Sequence, residues 1–313
     1  HRETAKGEGL IWKAFGTAPH ELSALNLMPA HTALAVHGDL DLAAMLAAFQ
    51  SMVAKHGTKQ LRGDLENDLK NAALKTLLKS YGGELGFFVT LDAAKTIEVP
   101  AGSGLLGWLG HQTGAVALAE KTNKDGTLPA LPVADKRIAV ATVKIPEPGL
   151  VLVVRVRDDT LQELLAGLLG SQGLPPQMAQ VGGVPIRSLP QPMPLECPFP
   201  VQPAMARAGD FLVIASNPAL AANVVSVHQG QAASLAGSAE FKKLAAGLPL
   251  KGNQFSYLSE TLARLHAALS QPPAGAPAAD PVTRLLSKLT ASGMAAQLSV
   301  VTVVIPPSFP LYA

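Results

Sequence analysis

The sequence predicts an α+β protein in which antiparallel sheets are covered by short helices. Three observations carry this expectation. Four times, a short β-type run is followed by a small polar or acidic residue and then by an apolar period of helical spacing. Further β-type runs lie between these units without regular alternation of strand and helix, which argues against a doubly wound sheet. Turn and breaker residues punctuate the chain throughout, with 28 glycines and 25 prolines in 313 residues.

The first unit is residues 32–53, TALAVHGDLDLAAMLAAFQSMV. Its strand ends near His37, and Leu42, Met45, Leu46 and Phe49 mark one helix face. The second, residues 149–169, places Leu161, Leu164, Leu165 and Leu168 on one face. The third is FLVIASNPALAANVVSV, residues 211–227. The fourth, residues 254–269, carries Leu258, Leu262, Leu265 and Leu269 at helical spacing. Asp39, Asp159, Asn217 and Ser259 stand at the four junctions, where a helix N-cap would accept otherwise unpaired backbone N–H groups. Pro218 suits a first helical position, and Gln162, three residues after Asp159, completes a capping box. Asp280 and Pro281 repeat the Asn217–Pro218 arrangement before a further helix with Leu285, Leu286 and Leu289 inward.

Between the units, strands are expected over 84–91, 115–119, 137–144, 204–208 and 298–305, and helices over 64–79 and 238–248. Residues 123–126 read as a loop tip and 208–210 as a tight hairpin turn. Residues 185–203 hold seven prolines and are expected to run as an extended strap or edge segment. Residues 271–281, QPPAGAPAADP, read as a linker. The organisation that follows is an N-terminal arm (1–30) and two related α+β halves (31–148 and 149–270). A C-terminal linker, helix and strand or tail (271–313) completes it.

Composition narrows the function classes. Charged residues make up 15% of the chain, against about 25% in an ordinary domain, while 48% are hydrophobic. Disorder and a coiled coil are both excluded by that balance. A net charge of +2 supplies no footprint for nucleic acid, so no nucleic-acid partner is expected. Cys197 is the single cysteine and cannot form an intramolecular disulfide. The opening HRETAKGEGL has no initiator Met and no apolar leader, and it reads as a mature or trimmed product whose targeting segment, if any, is absent. The most apolar stretch, residues 102–119, is interrupted by five glycines, His111 and Gln112, and no transmembrane segment is expected.

The motifs carry little chemistry. Gly102-Ser103-Gly104-Leu105-Leu106-Gly107 matches the dinucleotide fingerprint. Pro100 breaks its approach and Gly110 and Gly114 break any helix after it, so no cofactor is expected. No Gly-x-Ser-x-Gly elbow or Ser-x-x-Lys pair occurs. His20-Glu21 opens like a zincin motif, but position 24 is Ala. Cys197, flanked by Glu196 and Pro198, reads as a packed thiol. His31, His37 and Asp39 share a parity and would line one strand face. A full site needs three or four ligands and no other cluster points there, so the histidines read as solvent-exposed strand ends and no metal is expected. The sharpest enzymatic pattern is two acidic pairs, Asp39 with Asp41 and Asp158 with Asp159, at equivalent strand-to-helix junctions. Brought together, close carboxylates would split their pKa values and serve acid–base hydrolysis. Helix capping accounts for the same four positions.

Four stretches carry a resemblance: LMPAHTALAVHGDLDLAAML, GGVPIRSL, ARAGDFLVIASNPALAANVV and SLAGSAEFKKLAAGLPLKGNQFSYLSETL. Over residues 27–53 and 183–269 the chain resembles an uncharacterised bacterial family of secreted or envelope-anchored α+β proteins of the planctomycete–verrucomicrobial type. The resemblance implies an exported location and a duplicated α+β fold; it implies no activity and supplies no catalytic residues to carry over. The excess of apolar residues over charge points to a large core, a cavity or an interface. The leading expectation is therefore a non-catalytic secreted, envelope or periplasmic module that binds an apolar ligand, a lipid or a protein partner. The alternative is a secreted hydrolase, peptidase-like or glycosidase-like, using Asp39, Asp41, Asp158 and Asp159. A third reading is a scaffold subunit that contacts its partners through the proline strap and C-terminal tail.

Overall fold

A computed structural model describes residues 14–100 (except 17), 142–193 (except 172), 195, 199–269 and 296–302. The fold is α+β, as its sequence predicts. Among the described residues, nine antiparallel strands form one sheet in the order β11-β10-β2-β3-β4-β8-β7-β6-β5. They are β2 (Thr32–Asp39), β3 (Tyr81–Pro100), β4 (Thr142–Val156), β5 (Gln177–Val181), β6 (Val184–Ser188), β7 (Ala204–Ala208), β8 (Phe211–Ala215), β10 (Gln254–Leu258) and β11 (Gln297–Val301). Two short strands, β1 (His20–Glu21) and β9 (Lys251–Gly252), pair with each other beside it. The helices are α1 (Leu42–His56), α2 (Lys59–Asp68), α3 (Ala72–Ser80), α4 (Thr160–Ser171), α5 (Pro218–His228), α6 (Ala239–Ala245) and α7 (Glu260–Leu269). Both expected halves contribute to this sheet, and β4 runs unbroken across the expected boundary between residues 148 and 149.

Strand parity assigns the sheet's two faces. Ala35, Phe88, Val151, Val213, Phe255 and Tyr257 point to one face, where α5, α6 and the 3-10 turns Ser23–Leu27 and Leu235–Gly237 bury them. Leu27, Met28, Leu235 and Phe241 are fully enclosed there. Val154 and Leu212 point to the other face and pack with Tyr81, Leu161 and the half-buried Leu77, Leu164 and Leu165 of α3 and α4. A smaller cluster of Ile97, Val99, Ile145, Phe199 and Leu269 closes the far end of the β3–β4 ribbon.

Several local expectations are met. Asn217 accepts from the Leu220 amide with Pro218 next in the helix, and Ser259 accepts from the Leu262 amide. The β7–β8 hairpin turns at Gly209, whose φ of +58° is the left-handed value such a turn requires. β11, the described part of the expected 298–305 strand, finds its partner in β10.

Other expectations are corrected. Asp39 does not cap α1. Asp41 does, accepting from the Ala44 amide, because β2 continues through Asp39 and the helix starts three residues later, at Leu42. At α4 the Asp159 carbonyl accepts the Glu163 amide, but the carboxylate bonded to the first helical amide, that of Thr160, belongs to Asp158. The helix expected over 64–79 is two, α2 and α3, because Asn71 caps a fresh start by accepting from Ala73. The proline strap begins as an inner strand. β6 pairs with β5 on one side and β7 on the other, and Pro185 is tolerated because the β7 ladder starts only at Ile186. The β5–β6 hairpin turns on Gly182 and Gly183, both at positive φ. α1, expected to lay its apolar face on a sheet, buries only Val53 among its side chains. The glycine-rich stretch 102–119, the loop tip 123–126, Cys197, the linker 271–281 and the helix with Leu285, Leu286 and Leu289 lie outside the described residues.

Candidate functional site

A cluster of ionisable side chains is built where β1, β2, β3 and β4 converge. Three in-register pairs set it up: His37 opposite Gly86, Gly38 opposite Leu85, and Asp39 opposite Glu84. His37, Asp39 and Glu84 therefore face the same side of the sheet. The register of β3 against β4 shifts between Tyr81 and Leu85, and Gly83 in that stretch has φ +99°. A bulge re-aims the side chain that follows it, here Glu84. The carboxylate is only 5% exposed and is held by the Arg155 guanidinium from β4. Arg155 also bonds Asp210 at 3.2 Å and lies over the Phe211 ring.

The rest of the cluster comes from segments distant in sequence. β1 places His20 so that Nε2 lies 2.7 Å from Asp39 Oδ1. His20 Nδ1 donates to the Glu21 carbonyl at 2.8 Å, since a carbonyl can only accept. Asn253, between β9 and β10, donates from Nδ2 to Asp39 Oδ2 at 2.8 Å and to the Ala18 carbonyl at 2.9 Å. Gly16, at φ +93°, lays bare backbone against Asp39 and Asn253, and any side chain there would collide with both. One ligand atom from each of His20, Asp39 and Glu84 falls within 4.8 Å of the others.

His37 completes the arrangement from below. Its Nε2 is 3.5 Å from Glu84 Oε2, and among the described residues neither atom makes a hydrogen bond. The ring sits between Phe211 and Phe255, with centroids 6.1 and 5.9 Å away. Room for it comes from Gly86, where a Cβ would lie 2.5 Å from the imidazole. Burial, reinforced by the positive charges of His20 and Arg155, pushes the His37 pKa down to about 4, so this imidazole is neutral at pH 7. Burial also acts to lower the pKa of His20. The hydrogen bond to Asp39, the Glu21 carbonyl and the charges of Asp39 and Glu84 outweigh it and leave the value raised. For Arg155, Glu84 and Asp210 likewise outweigh burial and raise the pKa.

Of the four acidic residues read as a catalytic set, only Asp39 lies in this cluster. Asp41 caps α1. Asp158 accepts from the Ser80 hydroxyl at 2.7 Å and from the Thr160 amide, and these bonds lower its pKa. Asp159 pairs with Arg207 at 3.5 Å. Among the described residues no hydrogen bond or ion pair joins Asp39 or Asp41 to Asp158 or Asp159. Of the histidines considered with Asp39, His37 joins the cluster, whereas His31 lines a separate cavity of about 120 Å³ with Asp92, Lys95 and Asn217. Sequence reasoning missed Glu84, Arg155 and Asn253, and tested His20 only against a helical motif. The available signal was YGGELGFFV, in which one carboxylate follows two glycines inside an apolar strand.

A second feature occupies the opposite sheet face. Leu165, Leu168 and Leu169 of α4, with Pro203, Met205 and Ile214, line an apolar cavity of about 310 Å³. Ile214 is the register partner of Leu152, Leu152 of Phe87, and Phe87 of Val36, so an apolar row runs across four strands from the cavity. At strand spacing that row is about 15 Å long. Leu152 is 37% exposed and Val36 52%.

The fold and these two features define an α+β sheet protein with an ionisable cluster on one face and an apolar row on the other. The chain belongs to the family described as "Protein of unknown function (DUF3352)", which matches residues 105–302. That match includes Arg155 and Asn253, whereas His20, Asp39 and Glu84 precede it. No curated protein and no solved structure matches the chain. Among the described residues no helix is long and apolar enough to cross a membrane.

Proposed function

We propose that this protein is a non-catalytic, secreted or envelope-associated binding module whose ligand is an apolar chain of the kind found in lipids. The single observation that carries this reading is the apolar cavity beneath α4 and its continuation as the Ile214–Leu152–Phe87–Val36 row. Apolar side chains left in water at contiguous positions favour an apolar occupant, at roughly 25 cal/mol per Å² covered. The cavity volume is at the lower end of small-molecule sites, about 300–1,000 Å³, and the open row extends it in one dimension. An unbranched chain fits that shape better than a compact ligand does. The exported location rests on the family resemblance, and fractionation of the native host checks it directly.

The test is titration with dansyl-labelled undecanoic acid, read by fluorescence. One saturable equivalent per chain is expected. Leu168→Asp at the cavity and Leu152→Asp on the row should each weaken uptake at least tenfold while circular dichroism stays unchanged. Absence of saturable uptake, or uptake indifferent to both substitutions, overturns the reading.

A further inference from the structure

From the geometry of the cluster on the opposite sheet face we infer a divalent-cation site of the zinc class, with His20 Nε2, Asp39 Oδ1 and Glu84 Oε2 as its three protein ligands. Val36 and His37 are consecutive in β2 and point to opposite faces, so this site is separate from the apolar row and independent of the lipid reading.

The first argument is donor chemistry. One imidazole and two carboxylates suit first-row divalent ions such as Zn²⁺, whereas Ca²⁺ and Mg²⁺ favour six or more oxygens, including water. Ligand atoms of a tetrahedral zinc, each bonded at about 2.0–2.2 Å, stand roughly 3.3–3.5 Å apart. His20 Nε2 and Asp39 Oδ1 stand 2.7 Å apart, and one ligand atom from each of the three residues lies within 4.8 Å of the others, so the set spans that value. Three protein ligands leave a fourth position, and the His20 side chain, 34% exposed, gives it a route to solvent.

The second argument is the shell around the ligands. Metal-binding side chains are fixed through the atoms that do not bind the metal. Each of the three follows that pattern. The His20 Nδ1 proton is held by the Glu21 carbonyl, which turns Nε2 inward. Asn253 holds Asp39 Oδ2 and frees Oδ1 to face His20. Arg155 holds Glu84 Oε1, and among the described residues Oε2 is buried without a hydrogen bond. A buried carboxylate oxygen lacking a donor is costly, and a cation removes that cost. His37 stands behind Glu84 as a positioning residue rather than a ligand. With His20 neutral, as a metal ligand must be, two carboxylates face one guanidinium and leave net negative charge to attract an ion.

The experiment uses the whole chain, stripped with EDTA, dialysed, and titrated with zinc chloride by calorimetry. Co²⁺ added in parallel reports its donor set through visible absorption. One equivalent of zinc per chain is expected. His20→Ala and Asp39→Asn should each weaken binding at least a hundredfold and change the Co²⁺ spectrum, with far-UV circular dichroism unchanged. Asn253→Ala, which removes the tether on Asp39 together with the bond to the Ala18 carbonyl, should cost about 10–100-fold. His31→Ala, in the separate cavity, should have no effect. If Asp39→Asn fails to fold, His20→Ala decides alone, since its side chain lies at the rim. No stoichiometric zinc uptake by the unsubstituted chain, or uptake that survives His20→Ala, overturns the proposal.

Discussion

Helices α1 and α5 begin alike and end in different environments. Each follows a strand of the main sheet after a two-residue step, each opens on an Asx side-chain cap, and each is built mostly from Ala, Leu, Val and Met. Yet α5 buries Leu220, Ala221, Val224, Val225 and Val227, while α1 buries Val53 alone. The difference lies in what each helix meets. α5 turns back over β5 to β8 and the 3-10 turn at Ser23–Leu27, where Leu220 inserts against the bare backbone of Gly149. α1 instead leads into α2 and α3 as an excursion of helices. An apolar period states which side chains can be buried together. It does not state whether the connection lays them on a partner.

The largest expected effects fall on α5. Leu220→Ala should lower unfolding free energy by about 3 kcal/mol, since it removes a buried side chain and leaves a cavity against Gly149. The urea midpoint measures it, and a loss below about 1 kcal/mol would mean that α5 is far less firmly docked. The caps extend the contrast at smaller scale. Asn217→Ala should cost about 1 kcal/mol of global stability, because α5 and the core unfold together. Asp41→Ala removes an equivalent bond, but its effect should appear in amide exchange within α1 and scarcely in the global midpoint. Equal global effects from the two substitutions would break the comparison.

The same distinction explains how much was legible beforehand. Strand and helix positions at 204–228 and 254–269 follow from local chemistry, namely Gly209 at a left-handed turn, Asn217 before Pro218, and Ser259 at a cap. The offset at α1 was not legible, because Asp39 and Asp41 are equally good caps and only the extension of β2 chooses between them. The ionisable cluster was hidden for a different reason. His20, Asp39, Glu84, Arg155 and Asn253 span more than two hundred positions and meet only through sheet register and a bulge. Half of the histidine argument survived, since His37 and Asp39 do share a face. His31 stands apart because β2 starts only at Thr32 and six residues, about 20 Å of strand, separate it from His37.

The smallest expected effect is also the sharpest test of the contrast. Met45, Phe49 and Met52 of α1 are exposed at spacings of four and three residues, so they form one stripe along the helix. Phe49→Ser and Met52→Ser should each change stability by no more than about 0.5 kcal/mol, because neither side chain gives up burial and helix propensities differ by only a few tenths. The same substitution at a buried α5 position, Val224→Ser, should cost several times more, through lost apolar burial and a hydroxyl placed in the core. Urea midpoints for the three variants decide the matter in one experiment. If Phe49→Ser proved as damaging as Val224→Ser, the α1 stripe would have to be covered in solution, and the two helices would differ only in which part of the chain covers them. If instead α1 tolerates both changes, its stripe adds apolar surface beyond the strand row, and dansyl-undecanoate uptake by the same variants shows whether the ligand uses it.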